Sequence, residues 1–143
     1  MKISNKRANY EYKLEGDRLE AGISLSGGEA KAIRTGHADI NQSVARLVNG
    51  EIFLINANIP VPGAQNYSAT RSRKLLLHKN EIVSLTTKMK QFKLTLVPVS
   101  LYNKARLIKV RLALGKPKAK FEKKEAIKRK DIERELEQEF KLR

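Results

Sequence analysis

Arg71-Ser72-Arg73-Lys74 sets three cations in four residues, directly before Leu75-Leu76-Leu77-His78. Guanidinium and ammonium groups at that density can hold a phosphate backbone, and leucines that demand burial would pin them at a fixed place beside a core. The same stretch equally suits a helix entry with solvated charge, so other residues must decide. Lys31 and Arg34 are three apart and share one face of a helix, offering a second pair of phosphate donors. Glu20 and Glu29 can be imagined as an acid/base pair, but nothing in their spacing demands it. A helix-capping Glu29 and a surface Glu20 are the simpler reading. His37 and His78 are the only histidines, far apart and without cysteines, so no zinc site is expected and each reads as polar surface or an RNA contact. Gly27-Gly28 is a lone pair, not a phosphate-cradling glycine motif. These residues point to binding, with no enzyme activity, cofactor or metal expected.

The whole chain leans the same way. Its 143 residues hold 30 Lys and Arg against 15 Asp and Glu, a net charge of +15. Such an imbalance favours a polyanion, either nucleic acid or an anionic membrane. No run is long and apolar enough to span a bilayer, and the first seven residues lack the apolar region of a secretory signal. The absence of cysteine fits a reducing cytoplasm. Nucleic acid therefore leads, and no membrane partner is expected.

The elements that must position these residues read mainly as strands. Tyr10, Tyr12 and Leu14 alternate with charged residues, Gly16-Asp17 supplies a turn, and Leu19, Ala21, Ile23 and Leu25 line one face of a second strand. Ser26-Gly27-Gly28-Glu29 forms a capping box that starts a helix through Arg34, ended by Gly36 in a left-handed cap. Asn49-Gly50, flanked by Leu47-Val48 and Ile52-Phe53-Leu54-Ile55, predicts a hairpin on a type I′ turn. Ile82, Leu85, Met89 and Phe92 mark one face of a helix. Residues 94–102 and 108–114 supply two more strands, with Pro98 at an edge or bulge. Six strands with two or three short helices predict a mainly β, closed or nearly closed barrel over residues 1–115.

At Gly115 the composition changes. Residues 116–143 are rich in both charges, and their one apolar stripe is Ile132, Leu136 and Phe140. A single narrow stripe does not offset the entropy of ordering a helix. A basic tail, disordered alone and helical when bound, is the expectation.

Taken together, Asn5-Lys6-Arg7-Ala8, Glu20-Ala21-Gly22, the run from Glu29 to Gly36, Arg73-Lys74-Leu75-Leu76-Leu77-His78, Leu96-Val97-Pro98, Leu101-Tyr102 and Lys109-Val110 stand in an order that closely resembles the small protein B (SmpB, SsrA-binding protein) family. The resemblance covers nearly the whole chain. It implies an oligonucleotide-binding barrel that grips the tRNA-like domain of transfer-messenger RNA, in the place of an anticodon arm. It further implies delivery to stalled ribosomes with elongation factor Tu, as a monomer, for tagging of the nascent chain. By motif position it implies RNA contacts at Asn5, Arg7, Glu20, Lys31, Arg34, Arg73, Lys74 and His78. In the tail it implies decoding-centre and message-channel roles for Phe121, Glu122, Lys123, Lys124, Ile132, Leu136 and Phe140. Glu122 and Lys124 depart from the family's usual Asp and Arg, and lysine lacks the bidentate fork of arginine. Composition alone leaves a second class open, a structural ribosomal protein with a barrel body and basic tail.

Overall fold

Alternating inward and outward residues along the strands are satisfied by closing the sheet on itself. The computed structural model describes residues 2–119. Its strands are β1 (Lys2–Ser4), β2 (Tyr12–Ile23), β3 (Val44–Val48), β4 (Glu51–Ile55), β5 (Arg73–Leu76), β6 (Thr95–Lys104) and β7 (Leu107–Pro117). Its helices are α1 (Ala8–Glu11), α2 (Gly27–Arg34) and α3 (Lys79–Phe92). All pairings between the strands are antiparallel and run β6-β3-β4-β5-β2-β7, with β7 returning to β6. Six strands thus form a closed barrel, and closure removes the open edges that a flat sheet would expose. A seventh strand, β1, lies beside β6 from Ser100 to Tyr102.

The core is aliphatic: Ile23, Ile52, Leu54, Leu75, Leu96, Leu101, Val110 and Leu112 point inward from the strands. Helix α2 adds Ala32 and Ile33, and α3 adds Leu85. Each fully buried Leu or Ile contributes roughly 1.5–3 kcal/mol, which is why the alternation dictates register.

Several local expectations hold in detail. Ser26 and Glu29 form both halves of the capping box on α2. Asn49 and Gly50 have φ of 51° and 78°, as a type I′ turn requires. Gly36 takes the left-handed conformation after α2. The strand break after Pro98 is a bulge, since the β6–β7 register shifts between Pro98 and Ser100.

Others are corrected. The strands expected on either side of Gly16-Asp17 are one strand, β2, which bends where Gly16 has a φ of +72° and its register with β7 shifts. Residues 73–76, for which a helix entry is one of the two readings, are the strand β5, and of Leu75, Leu76 and Leu77 only Leu75 is fully buried while Leu76 is 54% exposed. The amino-terminal arm is ordered into β1 and α1. β7 runs to Pro117, two residues past the change in composition at Gly115, and pairs there with Tyr12.

Candidate nucleic-acid interface

Strand register assembles one polar patch on the outside of the barrel. Glu20 lies opposite Arg111, Gly22 opposite Lys109, and Lys109 opposite Tyr102. Their neighbours Ala21, Val110 and Leu101 are buried, so the alternation turns these side chains outward. The Tyr102 hydroxyl donates to Glu20, and Lys104 Nζ lies 3.2 Å from the same carboxylate. The Arg111 guanidinium sits 5.1 Å from the centre of the Tyr102 ring, within cation–π range. The Tyr102 hydrogen bond holds the Glu20 carboxyl below its ordinary 4.5, against the upward push of burial and with help from Lys104 and Lys109. An ionised carboxylate rimmed by cations accepts hydrogen bonds from base amino and imino groups while the cations take phosphate.

Helix α2 supplies the adjoining wall. Arg34 donates to the Arg106 carbonyl at 2.9 Å and so ties α2 to the β6–β7 turn. With Gly22, Leu76 and Lys109 it lines a shallow groove beside the Glu20 patch. Gly22 matters here, because a Cβ would meet Leu76 Cβ at 3.1 Å. Lys31 is exposed but lines a different cleft, with His37 and the Pro60-Val61-Pro62 loop. The two cations share a helix and serve two concavities.

The sequence cluster 71–74 divides in the fold. Arg73 is 0% exposed, since β5 turns it inward with Leu75 and sends Lys74 outward. Its guanidinium donates to Glu29 at 2.7 Å, to the Ala57 carbonyl at 2.7 Å, to the Tyr67 hydroxyl at 2.8 Å and to the Ala69 carbonyl at 3.0 Å. Arg71 pairs with Glu29 from the partly exposed side. Glu29 is itself 0% exposed. Burial pushes its carboxyl up, but hydrogen bonds from Arg71, the Ser26 amide and Arg73, with the Arg73 charge, prevail and bring it from 4.5 to about 2. Arg73 therefore cannot meet RNA from this position, and the expectation that it does so is replaced by a structural one.

Asn5 is corrected on the same ground. It is 9% exposed, and its side-chain amide donates to the Pro98 carbonyl at 2.8 Å while its own N–H donates to the Val99 carbonyl. It fixes the β6 bulge. Arg7 is partly exposed and pairs with Glu11 at 2.6 Å. Lys74 is exposed and pairs with Glu51 at 3.0 Å. His78 is exposed at the start of α3, where its N–H is capped by Glu81 at 3.1 Å, and it lines a hollow with Lys74, Leu76 and Lys79. Phe121, Glu122, Lys123, Lys124, Ile132, Leu136 and Phe140 lie outside the described residues. Structure thus groups Glu20 with Arg34, and Lys74 with His78, and sets Lys31 apart.

Lys104, Lys109 and Arg111 were missed as candidates. Their signal was present, because Lys109 and Arg111 alternate with Ile108, Val110 and Leu112. Only the register between distant strands brings them to Glu20.

Known proteins resemble the chain over most of its length. Residues 2–142 match the family model described as SmpB protein. A protein named SsrA-binding protein from Sulfurihydrogenibium sp. is 43% identical over 141 residues, covering 96% of this chain and 92% of the relative. Another so named, from Dehalococcoides mccartyi, is 40% identical over 143 residues, covering 98% and 83%. A solved structure, described as "tmRNA-SmpB: a journey to the center of the bacterial ribosome", superposes with a TM-score of 0.67 at 38% identity, covering 88% of this chain and 94% of the other.

Proposed function

The chain belongs to the SmpB protein family, and from that membership we propose that it binds the tRNA-like domain of transfer-messenger RNA and delivers it to stalled ribosomes for rescue and nascent-chain tagging. The protein is an RNA-binding protein that works with transfer-messenger RNA and the ribosome; its oligonucleotide-binding-like barrel carries the RNA surface. The observation that carries this in the structure is the ionised Glu20, held by Tyr102 and Lys104 beside Lys109, Arg111 and the Arg34 groove. A surface for phosphate alone has no use for a fixed carboxylate, whereas one that reads unpaired base edges does. Arg7, Lys31, Lys74 and His78 stand elsewhere on the barrel as exposed or partly exposed donors for further RNA contacts. Elongation factor Tu joins the delivery complex, which acts in the cytoplasm as a rescue device with no catalytic step of its own. Residues up to Ala119 supply the barrel, β7 running past Gly115 to Pro117, and the residues after them the segment that enters the decoding centre and message channel. There Phe121 stacks on a base and Lys123 and Lys124 follow phosphates.

Binding of the full chain to the isolated tRNA-like domain and to ordinary tRNA, titrated across salt concentrations, tests this. The tRNA-like domain is expected to bind more tightly at physiological salt, and the preference should survive as the electrostatic component weakens. Equal affinity for both RNAs would refute the proposal.

A further inference from the structure

A second concavity lies off the Glu20 face, between α2 and the loop after residue 59. The cleft has a volume of about 610 Å³ and is walled by Lys31, Thr35 and His37 on one side and Pro60-Val61-Pro62 on the other, over Ala32. The loop comes this close because α2 carries Gly28, where a Cβ would stand 2.7 Å from Val61 Cγ1. The glycine of the Ser26-Gly27-Gly28-Glu29 cap thus does more than start the helix. It admits an apolar wall against it.

We propose that this cleft takes one unpaired nucleobase of the bound RNA, packed between the prolines and α2 and held at its edge by His37. The proposal rests on the RNA-binding reading above and names a subsite for it. The cleft adjoins that surface through α2, which carries Lys31 at the rim and Arg34 in the neighbouring groove. Lys31 is exposed, so a phosphate next to the captured base has a cation at hand.

Hydrogen bonding fixes what His37 can offer. Thr35 Oγ1 lies 3.0 Å from both the Lys31 and Ala32 carbonyls and 2.9 Å from His37 Nδ1. The hydroxyl has one proton, and both carbonyls already accept backbone N–H groups, from Thr35 and His37. With the hydroxyl proton on a carbonyl, His37 Nδ1 donates to Thr35 and Nε2 accepts; with it on Nδ1, Nε2 donates, so in either tautomer the ring has its outer nitrogen left for one hydrogen bond. A single hydrogen-bonding nitrogen at the rim of an apolar slot suits a base edge, which carries both donors and acceptors, or a ribose 2′-hydroxyl. An apolar peptide would satisfy the walls and leave Nε2 without use, which is why RNA is preferred as occupant.

Single 2-aminopurine substitutions at each unpaired position of the tRNA-like domain, titrated with the full chain, test this. One position should change fluorescence sharply on binding. That change should be lost in Val61→Glu, which charges the wall, and reduced in His37→Phe, which keeps a flat ring but removes its hydrogen-bonding nitrogens. Affinity should fall about tenfold in Val61→Glu, in the range of a lost base-stacking contact. His37 is exposed, so its variant reports even if the loop variant fails to fold. No fluorescence change at any position, or a change untouched by the folded His37→Phe variant, overturns the subsite. The tRNA-like domain would still be preferred over tRNA in that event, which separates failure here from failure of the RNA-binding reading. Unaltered RNA binding together with capture of a protein by the wild-type cleft alone would likewise overturn it.

Discussion

Glu29→Gln is expected to destabilise the barrel by about 3–5 kcal/mol, the cost of removing one partner from a buried ion pair. The mutant amide keeps the shape of the side chain but leaves the Arg73 guanidinium, 0% exposed, without a counter-charge. Arg71 loses its partner too, and the Tyr67 hydroxyl loses one acceptor. For a domain of this size the melting temperature should fall on the order of 10–20 °C. The effect should spread, because Glu29 joins the cap of α2 to β5 and to the loop bearing Tyr67 and Ala69. The helix that presents Lys31 and Arg34 is oriented through it. Wild-type protein should behave correspondingly in acid. A carboxyl lowered from 4.5 to about 2 on folding contributes stability that is fully present above pH 4.5 and is lost as pH falls through about 2. Urea melts of both proteins from pH 7 to pH 2 check this, and the mutant should lack that part of the pH dependence. A loss below 1 kcal/mol at pH 7 would show that Arg73 finds compensation elsewhere.

Removing residues 120–143 is expected to leave binding to the tRNA-like domain within about twofold of the full chain and to abolish tagging on stalled ribosomes. The site of the cut decides the result. Lys116 and Pro117 pair with Lys13 and Tyr12, the Lys118 N–H donates to the Glu11 carbonyl at 2.9 Å, and Lys118 Nζ donates to the Asn9 carbonyl at 2.7 Å. A chain ended at Gly115 would leave the start of β2 without partners, so it should lose stability as well as tagging. A chain ended at Ala119 keeps the barrel whole. Comparing the two in melting, RNA-binding and in vitro tagging assays separates a folding defect from loss of the tail. Loss of RNA binding in the Ala119 truncation would contradict the division of labour between barrel and tail.

What the sequence made legible was local. The Ser26/Glu29 capping box, the Asn49-Gly50 turn and the Ile82/Leu85/Met89 part of the α3 face each depend on residues within a few positions, and each stands in the fold, while Phe92 at the end of that face is 56% exposed. Arg73 shows where that kind of reading stops. Arg73, Lys74, Leu75 and Leu76 do alternate inward and outward, as a strand should. An arginine at an inward position is so costly that the pattern reads as a basic cluster instead. The counter-charge that makes the burial tolerable, Glu29, is 44 residues away, and the carbonyls of Ala57 and Ala69 take further guanidinium donors. Asn5 was hidden in the same way, because its partner carbonyl is 93 residues distant. The Glu20 site was half legible: the carboxylate stood out, but Tyr102, Lys104, Lys109 and Arg111 reach it only through register. Lys93 is a smaller case, a non-glycine residue that takes the left-handed cap of α3 with a φ of 54° where a glycine would be looked for.

The most direct measurement of RNA partnership is sequencing of the RNA that co-purifies with the full chain from bacterial cells under native salt. Transfer-messenger RNA should be enriched far above its cellular share, and the enrichment should fall when Glu20 is replaced by Arg in a chain that melts normally. Recovery of ribosomal RNA and bulk tRNA in their cellular proportions, with no enrichment of transfer-messenger RNA, would contradict it.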